Sequence, residues 1–263
     1  MDLGLKNKVI IVTGGSKGIG GGIVSLLAKE GAIPIILGRN KDSIFKAINQ
    51  YKQKGCQVGY ALAELTDPNQ CEVAIDSIIK DYGRIDGLVN NAGVNDGVGL
   101  ENGSYDEFIN SIKRNLAHYY QIAQLVLPQL KKTKGVIVNI GSKTSVTGQG
   151  GTSGYAAANG GRNALTREWA VELLPYHIRV NCVIVAECFT PLYEKWINTF
   201  ENKEEKLAAI TSKIPFENRM TTTKEIANTV VFLLSDKSSH TTGQFIFVDG
   251  GYTHLDRALN TNN

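Results

Sequence analysis

Short apolar runs rich in β-branched residues alternate along the chain with longer segments whose apolar residues recur at helical spacing. Such alternation predicts a parallel sheet with right-handed crossover connections and helices on both faces. The apolar runs lie at 9–12, 33–37, 57–62, 87–89, 136–140, 178–185 and 244–248, and the helical patterns at 18–30, 41–54, 68–82, 105–131 and 155–174. No linker or change of composition interrupts the alternation, so the sequence predicts an α/β fold with one doubly wound domain over residues 1–263.

One region breaks this rhythm. Two helical patterns follow each other between 191 and 234 with no apolar strand between them. In an open α/β sheet the ligand crevice lies beyond the carboxyl ends of the strands, so the loop after Val185 is placed to cover it. We therefore predict a helical lid over 187–222, within the same domain.

Charge and cysteine content narrow the class of partner. The 28 basic and 25 acidic residues leave a net charge of +3 without a run of five like charges, so neither a nucleic acid nor a membrane surface is expected. The four cysteines include no CxxC pair and the four histidines lack metal-ligand spacing, which predicts no metal site. With no signal-peptide pattern or long apolar run, we expect a cytoplasmic protein that acts on a small molecule.

A glycine-rich segment follows the first strand. The run at 9–12 leads into TGGSKGIG at 13–20 and then into a helix. Glycines there permit a tight turn close to a pyrophosphate, and the N–H groups that open the helix favour an anion. The alternative is a glycine-rich turn without a ligand. The loop residues predicted to bind a dinucleotide are Gly14, Ser16, Lys17, Gly18, Ile19 and Gly20.

The end of the second strand indicates which dinucleotide binds. Sites for NAD usually offer an acidic residue to the adenosine ribose, whereas an arginine suits the 2′-phosphate of NADP. Gly38 stands where the acid would be, Arg39 follows it, and Lys17 can add a second cation. We predict NADP(H) in preference to NAD(H). The alternative is that both cations are solvated surface residues.

At this point the chain resembles the short-chain dehydrogenase/reductase family over essentially its whole length. The matching segments are TGGSKGIG at 13, NNAG at 90–93, Asn115 in KRNLAHYY, NIGS ending at Ser142, Tyr155, IRVN at 178 and FVDGG at 247. The resemblance implies a Rossmann-type sheet of about seven strands in the order 3-2-1-4-5-6-7 and a homotetramer. It also implies hydride transfer between a nicotinamide and an alcohol or carbonyl.

The resemblance also implies residue roles. Tyr155 would be the proton donor or acceptor, Ser142 would hold the substrate oxygen, and Asn115 would maintain a water relay. Two cofactor contacts depart from the family pattern, because Glu64-Leu65 replaces the usual Asp after the third strand and Val185-Ala186 replaces Pro-Gly. The further predicted cofactor contacts are Glu64, Leu65, Asn91, Ala92, Gly93, Tyr155, Asn159, Ala186 and Thr190.

The largest departure is at residue 159. The family has a lysine four residues after the tyrosine, which binds the nicotinamide ribose and favours the ionised phenol, whereas this chain has Asn159. Asparagine can hydrogen-bond a ribose hydroxyl but supplies no charge. Three interpretations are open: an altered lysine in an otherwise ordinary enzyme, substitution by another cation such as Lys143, or NADP binding without turnover. We favour the first, which predicts slowed chemistry with cofactor binding retained.

The substrate prediction comes from a narrower resemblance. TSGYAAANGG, ALTREWAVELL and TPLYEKWINTF look like the branch of L-fucose and related aldose dehydrogenases. The implied reaction oxidises the anomeric hydroxyl of a pyranose to a lactone. A sugar site needs several fixed polar groups, because an unpaired buried donor or acceptor weakens binding. The candidates are Asn95, Asp96, Ser142, Gln149, Tyr155, Glu187 and Trp196.

Two alternatives to an aldose dehydrogenase stay open. A 3-oxoacyl-thioester or carbonyl reductase should present an open basic surface to an acyl-carrier arm, but the charges over 191–205 are balanced. A non-catalytic NADP-binding protein would bind the cofactor without sugar-dependent NADPH formation. Each candidate side chain also has an ordinary reading as a loop or packing residue.

Overall fold

A single parallel sheet organises the computed structural model, which describes residues 2–255. Its seven strands lie in the order β3-β2-β1-β4-β5-β6-β7, so the doubly wound fold and the implied order are confirmed. The strands are β1 (Val9–Thr13), β2 (Ile33–Gly38), β3 (Gly59–Leu62), β4 (Gly87–Asn90), β5 (Val136–Ser142), β6 (Arg179–Val185) and β7 (Phe245–Val248). Met1 and residues 256–263 of the predicted domain lie outside the described residues.

The crossovers between strands are helical, as the periodicity predicts. The helices are α1 (Gly18–Lys29), α2 (Lys41–Gln53), α3 (Pro68–Tyr82), α4 (Tyr105–Ile112), α5 (His118–Thr133), α6 (Ser153–Glu172), α7 (Pro191–Ile197), α8 (Lys203–Thr211) and α9 (Thr223–Leu234). Side chains before several helices fix where they begin. Ser104 and Glu107 form a capping box at α4, and Thr222 and Glu225 form another at α9.

Each face of the sheet has its own apolar core. On one face α1 and α9 pack on the sheet through residues such as Leu27 and Val230. On the other face α3, α5 and α6 contribute residues such as Ile75, Tyr119 and Trp169. Strands buried on both faces are near-continuous apolar runs, as VIIVT in β1 is. Two packed faces hold the carboxyl edge of the sheet rigid, which is where parallel sheets of this kind bind ligands.

The predicted helix over 105–131 is interrupted. Residues Lys113–Ala117 form a π-helical turn between α4 and α5, and this turn carries Asn115. Single π-turns inside α-helices occur often at functional sites. Gly161 of α6 packs against this turn, since a Cβ atom there would lie 2.6 Å from Leu116 Cδ2. The glycine therefore lets α6 approach the turn closely.

The irregular region after β6 contains three helices rather than two. Helices α7 and α8 lie within the predicted lid, and α8 buries none of its residues. In contrast, α9 packs against the sheet with Val230 and Val231 fully buried. A lid function for 187–222 stays a prediction. Among residues 2–255, no helix is long and apolar enough to cross a membrane, and no three His, Cys, Asp or Glu side chains cluster to hold a metal ion.

Candidate active site

A cavity of about 880 Å³ opens at the carboxyl edge of the sheet. That volume suits a small-molecule or cofactor site. Gly20, Asn159 and Ala186 are the predicted cofactor contacts that do not contribute to its wall. The predicted cofactor residues that line it are Gly14, Ser16, Lys17, Gly18, Ile19, Arg39, Glu64, Leu65, Asn91, Ala92, Gly93, Tyr155 and Thr190.

The glycine-rich loop has the conformation that close backbone approach requires. Gly14 and Gly18 have φ of +67° and +61°, in the left-handed region that favours glycine. A Cβ atom on Gly20 would lie 2.5 Å from the Gly14 carbonyl oxygen, so a side chain there would break the turn. The side chain of Lys17, at the N-cap of α1, makes no capping hydrogen bond. The first turn of α1 opens on the cavity, with Gly18 and Ile19 in its wall.

The loop after β4 is tied to β1. The Thr13 hydroxyl accepts hydrogen bonds from the backbone N–H groups of Asn91 and Ala92, at 2.8 and 3.0 Å. The Asn91 amide donates to the Thr13 carbonyl at 2.8 Å. These bonds fix the second loop against the first, so both present backbone to the same cavity.

An ion pair lies at the end of the cavity next to β2 and β3, which we call the adenine end because the predicted dinucleotide would place its adenosine there. Arg39 Nη1 lies 2.6 Å from Glu64 Oε2, and the Arg39 side chain is 76% exposed. Although burial opposes it, hydrogen bonds from Arg39 and Thr66 lower the pKa of Glu64. Sequence reasoning treated the two residues as separate cofactor contacts and missed this pairing. Glu64 thus partly neutralises the cation predicted to receive a 2′-phosphate.

Ser142 ends β5 with its hydroxyl oriented by a neighbour. The residue is 7% exposed, and its Oγ accepts hydrogen bonds from the N–H and the hydroxyl of Thr144, at 3.3 and 3.1 Å. A hydroxyl that accepts on its lone pairs keeps its own proton to donate. Ser142 is therefore set to donate to an oxygen. Tyr155, in the first turn of α6, is half-buried and lines the cavity.

Asn115 is buried in the π-turn with its side chain fully used. Its Oδ1 accepts from the Val94 N–H at 2.7 Å, and its Nδ2 donates to the Ser111 carbonyl at 3.1 Å. These contacts hold the loop after β4 against the turn. The water relay implied by the family resemblance stays a prediction.

Asn159 is also completely buried. Its Nδ2 donates to the Tyr155 carbonyl at 2.9 Å, and its Oδ1 accepts from Arg162 Nη1 at 3.0 Å. The side chain lies against its own helix instead of on the cavity wall. We expected it to offer a hydrogen bond to a ribose, but in the structure both ends of the amide bind protein groups.

Arg162 is the residue that sequence reasoning missed. It lies seven residues after Tyr155, which is two turns along one face of α6. It is 3% exposed and lines the same cavity as Tyr155. Its guanidinium carbon lies 5.9 Å from the centroid of the Tyr155 ring. The signal was available in the sequence as an arginine on the tyrosine's face of the helix, close to the missing lysine.

Lys143, the substitute cation considered from sequence, is occupied elsewhere. Its Nζ forms an ion pair with Glu187 and lies 4.0 Å from the centroid of the Tyr252 ring. Both members of the ion pair are largely buried. Lys143 therefore faces Glu187 and Tyr252, and its charge is balanced by a carboxylate.

The four other predicted substrate residues lie in four different environments. Asn95 lines the cavity, and its Oδ1 accepts from the Gly97 N–H at 3.3 Å. Asp96 accepts from the Ser111 hydroxyl at 2.8 Å and lies 4.0 Å from Arg114 Nη1. Gln149 is exposed in the loop before α6. Trp196, 44% exposed on α7, packs edge to face with Tyr193 and Phe200.

Comparison with known proteins identifies the family. Residues 14–253 match the family described as Enoyl-(Acyl carrier protein) reductase. The chain is 34% identical over 248 residues to the 3-oxoacyl-acyl-carrier-protein reductase FabG of Thermotoga maritima, covering 94% of this chain and 98% of that protein. The chain belongs to the short-chain dehydrogenase/reductase family. It is therefore an oxidoreductase of a family that uses NAD(H) or NADP(H).

Two solved dehydrogenase structures superpose over nearly the whole chain. The crystal structure of Cj0485 dehydrogenase matches with a TM-score of 0.94 and 46% identity, covering 100% of both chains. The aldohexose dehydrogenase AldT of Thermoplasma acidophilum matches with a TM-score of 0.85 and 30% identity, covering 97% of this chain and 98% of that one. The chain is thus similar both to an acyl-carrier-protein reductase and to a sugar dehydrogenase.

Proposed function

We propose that the protein is an NADP-dependent dehydrogenase that oxidises the anomeric hydroxyl of an aldose such as L-fucose to the lactone. The observation that carries this proposal is a buried polar cluster beside Ser142. Glu187, predicted as a sugar contact, forms an ion pair there with Lys143. Burial and the Glu187 carboxylate raise the pKa of the neighbouring Tyr193 hydroxyl.

A cluster of this kind favours a polyhydroxylated substrate. An apolar ligand that covers buried charged and hydroxyl groups binds weakly because these groups are left unpaired, whereas a ligand with hydroxyl groups can pair with them and binds more tightly. The cluster combines a carboxylate acceptor, an ammonium donor and a phenol, contributed by the ends of β5 and β6 and by α7. A sugar ring presents complementary donors and acceptors, whereas an acyl chain does not.

The cavity also fits a nicotinamide dinucleotide, as the cradle at Gly14, Gly18 and Gly20 indicates. The glycine loop would hold the pyrophosphate, and Lys17 with Arg39 would hold a 2′-phosphate. Thr190 caps α7 above the loop, with its side chain 3.6 Å from the position of a Cβ on Gly18. When bound, the dinucleotide supplies the hydride acceptor for an alcohol or the hydride donor for a carbonyl.

Side chains of the protein would hold the reacting oxygen and transfer its proton. Ser142 would donate a hydrogen bond from its hydroxyl to the reacting oxygen and keep its own proton, because its Oγ accepts from Thr144. Tyr155 would take the anomeric hydroxyl proton as general base and return it in the reverse direction. Both residues come from rigid elements, the end of β5 and the first turn of α6, so their separation is set by the fold.

Reduction of a 3-oxoacyl thioester is the second candidate. The similarity to the FabG reductase supports it, as does the apolar surface of the predicted lid, where Phe189, Leu192 and Phe200 are 47%, 54% and 37% exposed. An acyl chain could lie against that surface. In the first candidate sugar hydroxyls would contact the polar cluster, and in the second an acyl chain would lie against the apolar lid. A change at Glu187 should therefore affect the turnover of a sugar more than that of a thioester.

A substrate panel separates the candidates. Aldoses with NADP⁺ and NAD⁺ would be compared with a 3-oxoacyl thioester and NADPH, and lactone formation would be followed directly. We expect L-fucose-dependent NADPH formation with a preference for NADP⁺, and a higher KM for the sugar in Glu187→Gln. Thioester reduction without turnover of any aldose would replace the proposal with the second candidate. Cofactor binding with neither activity would leave a non-catalytic NADP-binding protein.

We further propose a cytoplasmic homotetramer built on the surfaces of α4, α5 and α6 and on the C-terminal strand β7. Exposed apolar side chains on all three helices support this assembly, namely Tyr105 at 78%, Tyr120 at 53% and Val171 at 68%. Analytical ultracentrifugation of the native protein tests the assembly, and a monomer at micromolar concentration would contradict it.

A further inference from the structure

Arg162 carries a buried charge without an acidic partner. Within residues 2–255, no carboxylate forms an ion pair with its guanidinium. Its hydrogen bonds go to neutral acceptors: Nε to the Asn115 carbonyl at 2.8 Å, and Nη1 to the Ile140 carbonyl at 3.1 Å and to Asn159 Oδ1 at 3.0 Å. An unpaired buried charge is costly. Its presence therefore calls for a functional reason.

The groups that face Arg162 do not neutralise it. Burial and the Arg162 charge lower the pKa of His118 to about 4, so the imidazole is neutral at physiological pH. Burial raises the pKa of the Tyr119 phenol and raises that of the Cys182 thiol to about 12, so both keep their protons. Lys143 is paired with Glu187. Of Arg162, His118, Tyr119, Cys182 and Lys143, only Arg162 is therefore charged near neutral pH without an acidic partner among the described residues.

The guanidinium of Arg162 lies near two tyrosine rings, with its carbon 4.3 Å from the centroid of Tyr119 and 5.9 Å from the centroid of Tyr155. Its Nη1 bonds to Asn159, which in turn donates to the carbonyl of Tyr155. Its Nη2 has no hydrogen-bond partner among the described residues, although Arg162 lines the cavity. Gly93 leaves room for Nη2, since a Cβ atom there would lie 2.8 Å from it. Among the described residues, this donor of the guanidinium therefore stays unpaired beside Gly93.

We propose that Arg162 supplies the positive charge beside Tyr155 that the family's lysine would otherwise supply, with Asn159 as the neutral link that orients its guanidinium. Arg162 is a positioning residue, because it acts on Tyr155 through Asn159 and through its field and need not touch the substrate. The kinetic consequence rests on the proposed dehydrogenase function, but the effect on the phenol does not. On this proposal Asn159 works together with Arg162, whereas the sequence alone favours the interpretation that Asn159 slows the chemistry.

The charge should move the pH at which Tyr155 ionises. A positive charge near a phenol favours the phenolate, so removing the charge makes loss of the proton less favourable. Removing the charge should therefore raise the pH at which Tyr155 is half ionised. In the alcohol-oxidising direction, the pH of half-maximal rate should rise with it, and the rate at neutral pH should fall by about 10- to 100-fold.

Two variants remove the charge by different routes. Arg162→Met replaces the guanidinium with an apolar chain. Asn159→Asp keeps Arg162 in place but puts a carboxylate against Nη1, at the site of the present 3.0 Å hydrogen bond. Asn159→Asp changes the size of the side chain very little, so it tests the proposal even if Arg162→Met fails to fold. Arg162→Lys keeps a cation, and Arg167→Met removes an exposed arginine of the same helix as the matched control.

The experiment is a titration of the full-length protein labelled with ¹³Cζ-tyrosine and followed by NMR, with the Tyr155 resonance assigned by its loss in Tyr155→Phe. It needs no substrate, so it distinguishes failure of this inference from failure of the proposed function. We expect the Tyr155 midpoint to rise in Arg162→Met and Asn159→Asp, to rise less in Arg162→Lys, and to stay in place in Arg167→Met. A folded Arg162→Met or Asn159→Asp that titrates like the native protein overturns the inference, as do equal shifts in Arg162→Met and Arg162→Lys.

Discussion

Two arginines of the same cavity lie in opposite environments. Arg39, at the adenine end, is mostly exposed and lies 2.6 Å from the Glu64 carboxylate. Arg162, at the tyrosine end, is 3% exposed and binds only neutral acceptors among the described residues. Exposed ion pairs contribute little to stability, whereas an unpaired buried charge is expensive. The exposed arginine is thus suited to selecting a cofactor, and the buried one to changing the chemistry of its neighbours.

The comparison predicts that the buried end controls turnover and the exposed end controls cofactor preference. Substitutions at the tyrosine end should change kcat or global stability. Substitutions at the adenine end should change the KM for the dinucleotide and leave kcat nearly unchanged. The following predictions run from the largest expected effect to the smallest.

Removing the Tyr155 hydroxyl should have the largest effect. Proton transfer by a positioned side chain contributes about 10²- to 10⁴-fold to rate, so we expect Tyr155→Phe to lose kcat by that factor. The affinity for the dinucleotide, measured by fluorescence titration, should change less than about threefold because the glycine loop is untouched. Near-native kcat in Tyr155→Phe would assign the proton transfer to another group.

His118 should make the buried end sensitive to acid. Burial and Arg162 lower the pKa of His118 from 6.5 to about 4. As the pH falls, His118 takes up a proton at about pH 6.5 in the unfolded chain but only at about pH 4 in the native protein. The contribution of neutral His118 to the free energy of unfolding is therefore fully present above pH 6.5 and is lost as the pH falls toward 4. The loss should reach up to about 3 kcal/mol.

Urea unfolding at neutral pH and at about pH 4.5 measures this loss. His118→Gln should show a smaller drop in the free energy of unfolding between the two conditions. His240→Gln, which changes an exposed histidine, is the control and should behave like the native protein. Equal acid sensitivity in His118→Gln would place the titrating group elsewhere.

Removing the exposed arginine should change cofactor preference. Arg39→Ala takes away a cation predicted to meet the 2′-phosphate, so we expect the KM for NADP⁺ to rise about tenfold. The KM for NAD⁺ in the same variant should stay within about twofold, since NAD⁺ lacks that phosphate. Steady-state kinetics with both cofactors provides the internal control. Parallel losses for NADP⁺ and NAD⁺ would show that Arg39 serves the shared adenosine.

Removing the carboxylate of Glu64, the partner of Arg39, should have the smallest effect and should lower the KM for NADP⁺ instead of raising it. Glu64→Gln releases Arg39 from its ion pair, so the KM for NADP⁺ should fall by about two- to fivefold. The effect should shrink at high salt, because both groups contact solvent. A rise in the KM for NADP⁺ would mean that Glu64 orients Arg39 productively and does not compete with the phosphate.

Features set by backbone periodicity were predictable from the sequence. The strands of the sheet are largely apolar runs, and the turn between β1 and α1 follows from glycines, which tolerate the positive φ found at Gly14 and Gly18. Tyr155 could be placed at the cavity and Ser142 at the carboxyl edge of the sheet, because each stands next to the end of a regular element. Boundaries and helix types depend on packing, so the π-turn at Lys113–Ala117 was not predicted.

Side-chain pairing was not predictable in the same way. Arg39 and Glu64 are 25 residues apart, and Lys143 and Glu187 are 44 apart, so only the folded sheet brings each pair together. Asn159 was judged from sequence against a single missing cation. The position of Arg162 on the same helical face was visible, but its burial and its bond to Asn159 depend on the close approach of α6 to the π-turn.

The central claim is that the active-site cation lies at residue 162 instead of residue 159. The most direct measurement is the effect of Asn159→Lys on turnover in two backgrounds, native and Arg162→Met, with the best substrate of the panel. We predict that Asn159→Lys lowers turnover and the melting temperature in the native background, because two cations then share one buried site, and raises turnover in Arg162→Met. Higher turnover from Asn159→Lys in the native background would contradict the claim.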